Sequence, residues 1–312
     1  MTGHGRVLLA TALAAIACHA TAPEKPVVMP GPAPMAELWA EPRDLAARDL
    51  VHGEGGAALA PKREARFTFV EEKQGGFSPG YTVKDDRGMT WSAKLGIEAQ
   101  PEVVVSRLLW AIGFRQPPVY FLESWTLVGG AEPGRKGPTR FRPNLPGWKD
   151  SGSWLWRRNP FLGARPLRGL VVFIRIVNNW DILDRNNVLY ELDPPRDGVT
   201  RHYVVKDLGS SLGRTTALWH QGTKNDVEDF EKQGFIDRAK GGIVHFDDKG
   251  RRHRDLYRNI SVEDVRWTCE RLAKLRPEQW QDAFRTAGYD GATASRFIRR
   301  LQAKVDEGLR LQ

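Results

Sequence analysis

Cysteine is almost absent from this chain: Cys18 and Cys269 are the two in 312 residues. That count excludes a Cys-built metal site. The letters G-x-S-x-G occur at 76–80 and 209–213, but with His202, His220, His245 and His253 they do not by themselves make a case for a serine hydrolase. "HFDDKGRRHRD" (245–255) lacks the spacing of a metal motif and reads as a charged turn between strands. No repeat of solenoid period is visible. Long apolar runs are also missing. Val7–Ala17 is too short for a good membrane span, and no later stretch could cross a bilayer.

What is present begins with that short run. "MTGHGRVLLATALAAIACHATA" places Arg6 before it and small residues after it, the arrangement of a secretory signal over residues 1–22. "AIAC" loosely resembles a bacterial lipoprotein cleavage box, so two readings stay open, simple cleavage and a lipid anchor on Cys18. Either fate removes Cys18 as a disulfide partner for Cys269, so the fold must rest on its core. The composition, 41% hydrophobic and 27% charged, is that of a globular protein, and the length suits one large domain or two lobes. The formal net charge of +9 favours anionic partners such as phosphates, nucleic acid or acidic lipid head groups.

Residues 23–62 are rich in Pro, Ala and Gly and read as a tether with one short helix around Ala36–Leu50. Three strand signals follow, at Arg66–Glu71, Tyr81–Asp85 and Thr90–Leu95, separated by the turns "KQGGFSPG" and "DDRG". "QPEVVVSRLLWAIGF" predicts a helix, with Pro101 in its first turn, Glu102 complementing its N-terminus and Gly113 at its stop. "PPVYFLESWTLV" is one further strand. Residues 63–128 are therefore expected to form a small antiparallel sheet with a helix.

Residues 129–160 read as a basic loop-like insert. Seven cations (Arg135, Lys136, Arg140, Arg142, Lys149, Arg157, Arg158) face only Glu132 and Asp150, with Trp148, Trp154 and Trp156 interleaved. Charge plus stacking could bind nucleic acid. Export argues against that, and packing of the tryptophans onto the helical part is the simpler expectation. "PLRGLVVFIRIVNNW" is a buried helix. From about Ser211 the chain is mostly helical, with Ser261 and Asp264 forming a capping-box-like start. The expected architecture is α+β: a β-rich front lobe over 63–128 and a helical back lobe over 129–312, joined near residues 122–130.

Several modest motifs then fall in one order. "KQGGFSPGYTV" offers Gly75, Gly76, Ser78 and Gly80 between the first two strands. Glycines let backbone amides approach phosphate oxygens. "TWSAKLG" puts Lys94 near the end of the third strand, and Glu102 follows on the helix. "NNWDILDRN" holds Asp181 and Asn186, and "KDLG" holds Asp207 beyond a hairpin predicted over Val188–Leu192 and His202–Val205. This order resembles the protein-kinase-like superfamily, with HipA-type kinases the nearest likeness and phosphatidylinositol kinases a looser one, over most of residues 66–213.

The resemblance implies a two-lobed protein-kinase-like fold and transfer of phosphate from ATP or another nucleotide with Mg²⁺ or Mn²⁺. It implies a glycine-rich loop (Gly75, Gly76, Ser78, Gly80) and Lys94 on the nucleotide phosphates, with Glu102 fixing Lys94. Asp181 would be the catalytic-loop aspartate, and Asn186 and Asp207 the metal ligands. Glu98 stands as an alternative partner for Lys94. "LDRNN" allows Asp184 and Asn187 as a rival pair, and Trp180 stands where a His-Arg-Asp triplet would have its arginine. The acceptor would be an anionic or hydroxyl-bearing protein, glycan or lipid met in the periplasm, at the outer membrane or outside the cell. The membrane would be touched only through the N-terminal anchor. A catalytically silent kinase-like binding module and a nucleotidyl transferase on the same fold are the other readings.

Overall fold

The computed structural model describes residues 26–28, 31–62, 64–73, 78–215, 222–247 and 254–312. The expected leader at 1–22, with Cys18, and the glycines Gly75 and Gly76 lie outside the described residues.

The front lobe is built on period-two alternation. In β1 (Arg66–Glu72), β2 (Gly80–Lys84) and β3 (Thr90–Leu95), Phe67, Tyr81, Val83, Trp91 and Ala93 point to one face and are buried there. β4 (Tyr120–Leu122), β5 (Trp125–Val128), β6 (Gly134–Lys136) and β7 (Thr139–Pro143) complete a seven-stranded sheet of order β4-β7-β3-β2-β1-β5-β6. Its β1–β5 pair is parallel and the other pairs are antiparallel. The sheet curls until distant strands meet. Phe67 stacks on Phe141 with centroids 4.6 Å apart, and Trp125 Nε1 donates to Thr139 Oγ1 at 2.8 Å. Each ring of Phe size buried this way contributes about 2 kcal/mol. The alternate residues Ser92, Lys94, Arg140 and Arg142 are thereby left to line a cleft.

The short helix α1 (Gly56–Leu59) precedes the sheet, and α2 (Ala99–Ala111) follows β3. α2 ends at Gly113, whose φ of +103° is glycine territory and whose missing Cβ would lie 2.2 Å from the Ala40 carbonyl.

The back lobe holds a second sheet of order β10-β9-β8, made of β8 (Trp148–Asp150), β9 (Asn187–Arg196) and β10 (Val199–Val205). Around it lie α3 (Arg165–Ile176), α4 (Val227–Lys232), the hairpin β11 (Ile236–Lys240) and β12 (Ile243–Phe246), α5 (Val262–Ala273), α6 (Pro277–Arg285) and α7 (Gly291–Leu309). The capping box forms: Ser261 Oγ accepts from the Asp264 amide at 3.2 Å, and Asp264 Oδ2 from the Ser261 amide at 3.1 Å. Among the described residues no helix is long and apolar enough to cross a membrane.

Four expectations are corrected. The tether is part of the body: Leu38, Leu45 and Leu50 are buried, Glu37 pairs with Arg201 at 2.9 Å, and Gln279 donates to the carbonyls of Leu45 and Arg48. The helix expected around Ala36–Leu50 is only a 3-10 turn at Met35–Glu37, because a chain broken by Pro34 and Pro42 satisfies its backbone on its neighbours instead. The single strand expected at 117–128 is two, β4 and β5. Residues 129–160 are not one loop of the back lobe, because β6 and β7 belong to the front sheet and the lobes join through 144–147 rather than near 122–130. Trp154 and Trp156 are fully buried in the back-lobe core, as expected of packing residues.

Candidate active site

The cleft lies between the lobes, with a volume of about 1210 Å³. Lys94, at the end of β3, reaches into it. Its Nζ lies 2.8 Å from Glu98 Oε2, 3.2 Å from Glu102 Oε2 and 2.9 Å from Asp207 Oδ1. Both glutamates weighed as its partner therefore contact it, and Glu98 is the nearer. The two sit four residues apart at the start of α2, one turn apart on the same face.

Glu102 is 1% exposed and carries more than Lys94. Its Oε1 lies 2.8 Å from Arg140 Nε and 2.5 Å from Arg142 Nη2. Burial pushes the Glu102 carboxyl up, but Arg140, Lys94 and Arg142 outweigh it and hold the pKa at about 2. Burial likewise lowers Lys94, and the three carboxylates around it more than reverse that. Glu98 uses its other oxygen on Lys224 at 2.5 Å, and accepts from Ser78 Oγ at 2.8 Å. Ser78 thus bonds α2 from the turn between β1 and β2. Gly80 fits where nothing larger would, since an added Cβ would stand 2.9 Å from the Ala93 carbonyl.

Across the cleft, the β9–β10 hairpin brings Asp207 back to Asn186. In its register Val205 faces Asn187, and the amides of Lys206 and Asp207 donate to the Asn186 carbonyl at 2.9 and 3.2 Å. Asn186 Nδ2 turns to Asp181, donating to its carbonyl at 2.5 Å and to Oδ2 at 3.2 Å, which leaves the Asn186 carboxamide oxygen for another partner. Lys94, Glu102, Asp181, Asn186 and Asp207 all line the one cleft, with Ser78 and Gly80 at its front-lobe rim. Of the rival pair, Asp184 lines the same cleft, whereas Asn187 does not. Asp184 Oδ1 accepts from the Trp156 amide at 2.8 Å, and buried Asn187 donates to the Trp154 carbonyl at 2.9 Å.

Four site residues escaped sequence reasoning. Arg140 and Arg142 alternate in "TRFRP", a period-two signal hidden by reading the segment for its charge. Lys224 had no local signal. Buried Lys304 on α7 donates to the Ile176 carbonyl at 3.1 Å and to Asn178 Oδ1 at 2.8 Å, anchoring the loop that carries Asp181.

Chemically, the Lys94 ammonium rests directly on the Asp207 carboxylate, and the Asn186 carboxamide lines the same cleft, so one cation and an oxygen-only pair stand together. Mg²⁺ and Mn²⁺ take such oxygen ligands, and Mg²⁺ is held by one or two side chains with phosphate oxygens completing the shell. Among the described residues no group of three His, Cys, Asp or Glu side chains forms a metal cage, so a metal held here would need a ligand's oxygens.

These parts define a two-lobed α+β fold with a cleft between its lobes. No protein-family model and no curated protein matches the chain. Among solved structures, the Helicobacter pylori proinflammatory kinase CtkA matches at 10% identity, covering 79% of this chain and 95% of its own, with a TM-score of 0.43. The Rio2 kinase from Chaetomium thermophilum, in an ADP/Mg²⁺-phosphoaspartate complex, matches at 14% identity over 76% of this chain and 70% of its own, with a TM-score of 0.29.

Proposed function

We propose that this chain is an exported phosphotransferase that binds a nucleotide with a divalent metal and phosphorylates a hydroxyl-bearing acceptor. One observation carries the reading. Lys94 Nζ bonds Glu102 and Asp207 at once, residues from opposite lobes and 113 positions from Lys94 in the case of Asp207. Few structural needs call for a lysine held between two lobes at the rim of a deep cleft.

In this reading Lys94 neutralises phosphate charge, and buried Glu102 keeps the ammonium aimed. Ser78 and Gly80 lie against the phosphates. Asp207 and the Asn186 carboxamide oxygen hold the metal, which, when bound, draws charge from the transferring phosphoryl group. Asp181, oriented by Asn186, accepts the acceptor's hydroxyl proton. Such catalysis is mainly positioning and charge stabilisation, so few residues suffice. The leader-like N-terminus supports export, which places the acceptor outside the cytoplasm.

The test is transfer itself. Asp181→Ala is expected to bind Mg²⁺–nucleotide like wild type and to lose label transfer onto acceptor or onto itself. Undiminished transfer by that variant would remove Asp181 from the role. A second reading, a silent binding module, is favoured by the Lys94–Asp207 bond, which a nucleotide has to displace. Absence of any thermal shift with nucleotides and Mg²⁺ or Mn²⁺ would support it. Added nucleotide rather than added phosphate on an acceptor, read by intact mass, would make the protein a nucleotidyl transferase.

A further inference from the structure

After Asp207 the chain comes back to the Lys94 cluster at Lys224. There Lys224 Nζ bonds Glu98 Oε1 at 2.5 Å, with the two side chains only 11% and 6% exposed. The same ammonium lies 5.7 Å from the ring centre of Trp180, the residue before Asp181. A buried charge pair depends on both partners, because removing one leaves the other uncompensated.

The contacts around this pair are built to hold it. Trp180 Nε1 donates to the Thr223 carbonyl at 3.1 Å, and the Trp180 amide to the Ser210 carbonyl at 3.3 Å. Gly222 lets the chain pass close to the indole, since an added Cβ would stand 2.5 Å from Trp180 Cδ1. Asn225 Nδ2 donates to Gln100 Oε1 on α2 at 3.1 Å, and the Asn225 amide to the Ser211 carbonyl at 3.0 Å. One short stretch therefore grips both the start of α2 and the residue that leads into Asp181.

Glu98 and Glu102 differ in how their charge is met. Glu102 has Arg140 and Arg142 besides Lys94, whereas Glu98 pairs with Lys94 and Lys224. Burial pushes the Glu98 carboxyl up, but Lys94 and Lys224 outweigh it and hold the carboxyl below its ordinary range.

We propose that Lys224 is a positioning residue for phosphate transfer, holding Glu98 at Lys94 and Trp180 beside α2, so that the competent arrangement forms without phosphorylation of the protein. This rests on the phosphotransfer reading given above. With Lys94 drawn to phosphate, Lys224 is the cation that keeps Glu98 from standing as a bare negative charge beside it. In protein kinases an activation loop is commonly ordered by new pairs between arginine and an added phosphate. Here Trp180 occupies the position of the triplet's arginine, and Lys224 meets a carboxylate on α2 instead. Both charges of the lock are thus encoded in the sequence.

The experiment measures nucleoside diphosphate formed by the full chain from ATP, and separately GTP, with Mg²⁺, which counts transfer to any acceptor, water included. The protein is first treated with phosphatase and shown by intact mass to be unphosphorylated. Wild type is expected to reach its full rate without a lag, and Lys224→Met to lose about tenfold in kcat/KM. In a Glu98→Gln background, Lys224→Met is expected to cost about twofold or less, because its effect passes through Glu98. Lys224→Gln carries the test if Lys224→Met does not fold. Undiminished kcat/KM in the Lys224 variant, or an equal loss in both backgrounds, overturns this inference and leaves the phosphotransfer reading standing. A rate that appears only after phosphorylation also overturns it. No diphosphate from wild type with either nucleotide overturns both.

Discussion

Glu102→Gln isolates the buried cluster at the root of the cleft. The side chain keeps its size and one acceptor oxygen, so what changes is the charge facing Lys94, Arg140 and Arg142 at 3.2, 2.8 and 2.5 Å. Two routes give the same magnitude. A carboxyl whose pKa falls from 4.5 to about 2 on folding contributes about 3 kcal/mol at neutral pH. Removing one partner of a buried charge cluster costs about 3–5 kcal/mol because the others are left uncompensated. For a protein of this size that is a fall in Tm of about 5–8 °C.

The sign with pH follows from the depressed folded pKa. The contribution is fully present above the unfolded value of 4.5 and is lost as pH falls toward about 2. Urea unfolding of both proteins should give a gap of about 3 kcal/mol from pH 6 to 8, reduced to about half near pH 3. A gap below about 1 kcal/mol that does not vary with pH would refute the claim that Glu102 organises three cations.

Other perturbations reach other parts of the account. Gly147 opens the back-lobe sheet with φ +76°, and a Cβ there would stand 2.0 Å from the Asp193 carbonyl; Gly147→Ala should cost about 3 kcal/mol, read as a Tm loss of about 5 °C. Ser261→Ala removes the side-chain cap of α5 and should cost about 1 kcal/mol while leaving nucleotide affinity unchanged, which urea unfolding and calorimetry check together.

Much of the fold was legible because local signals and tertiary outcome agree. Thr90–Leu95 alternates as a strand and is one, and Ser261 with Asp264 caps a helix as the spacing implies. Lys94, Asp181, Asn186 and Asp207 could be picked out because they fall in a familiar order, and the hairpin pairing that sets Asp207 beside Asn186 is itself a period-two signal. What stayed hidden depends on long-range partners. Leu38, Leu45 and Leu50 occur among prolines and alanines with no period, and only contact with α2 and α6 makes that stretch part of the core. β7 was masked by its arginines. Their charge suggests a solvated loop, yet Glu102, forty residues before Arg142, makes them buried strand residues. Glu98 and Glu102 are both reasonable from spacing alone, and only the side-chain geometry reveals that Lys94 uses both.

The most direct trial of the central claim is equilibrium titration of Mg²⁺ and nucleotide into wild type and Asp207→Ala. If the cleft lined by Lys94, Asn186 and Asp207 is where a metal-bound triphosphate sits, wild type binds and the variant, though folded, shows no metal-dependent affinity. Equal affinity in the two proteins would contradict it.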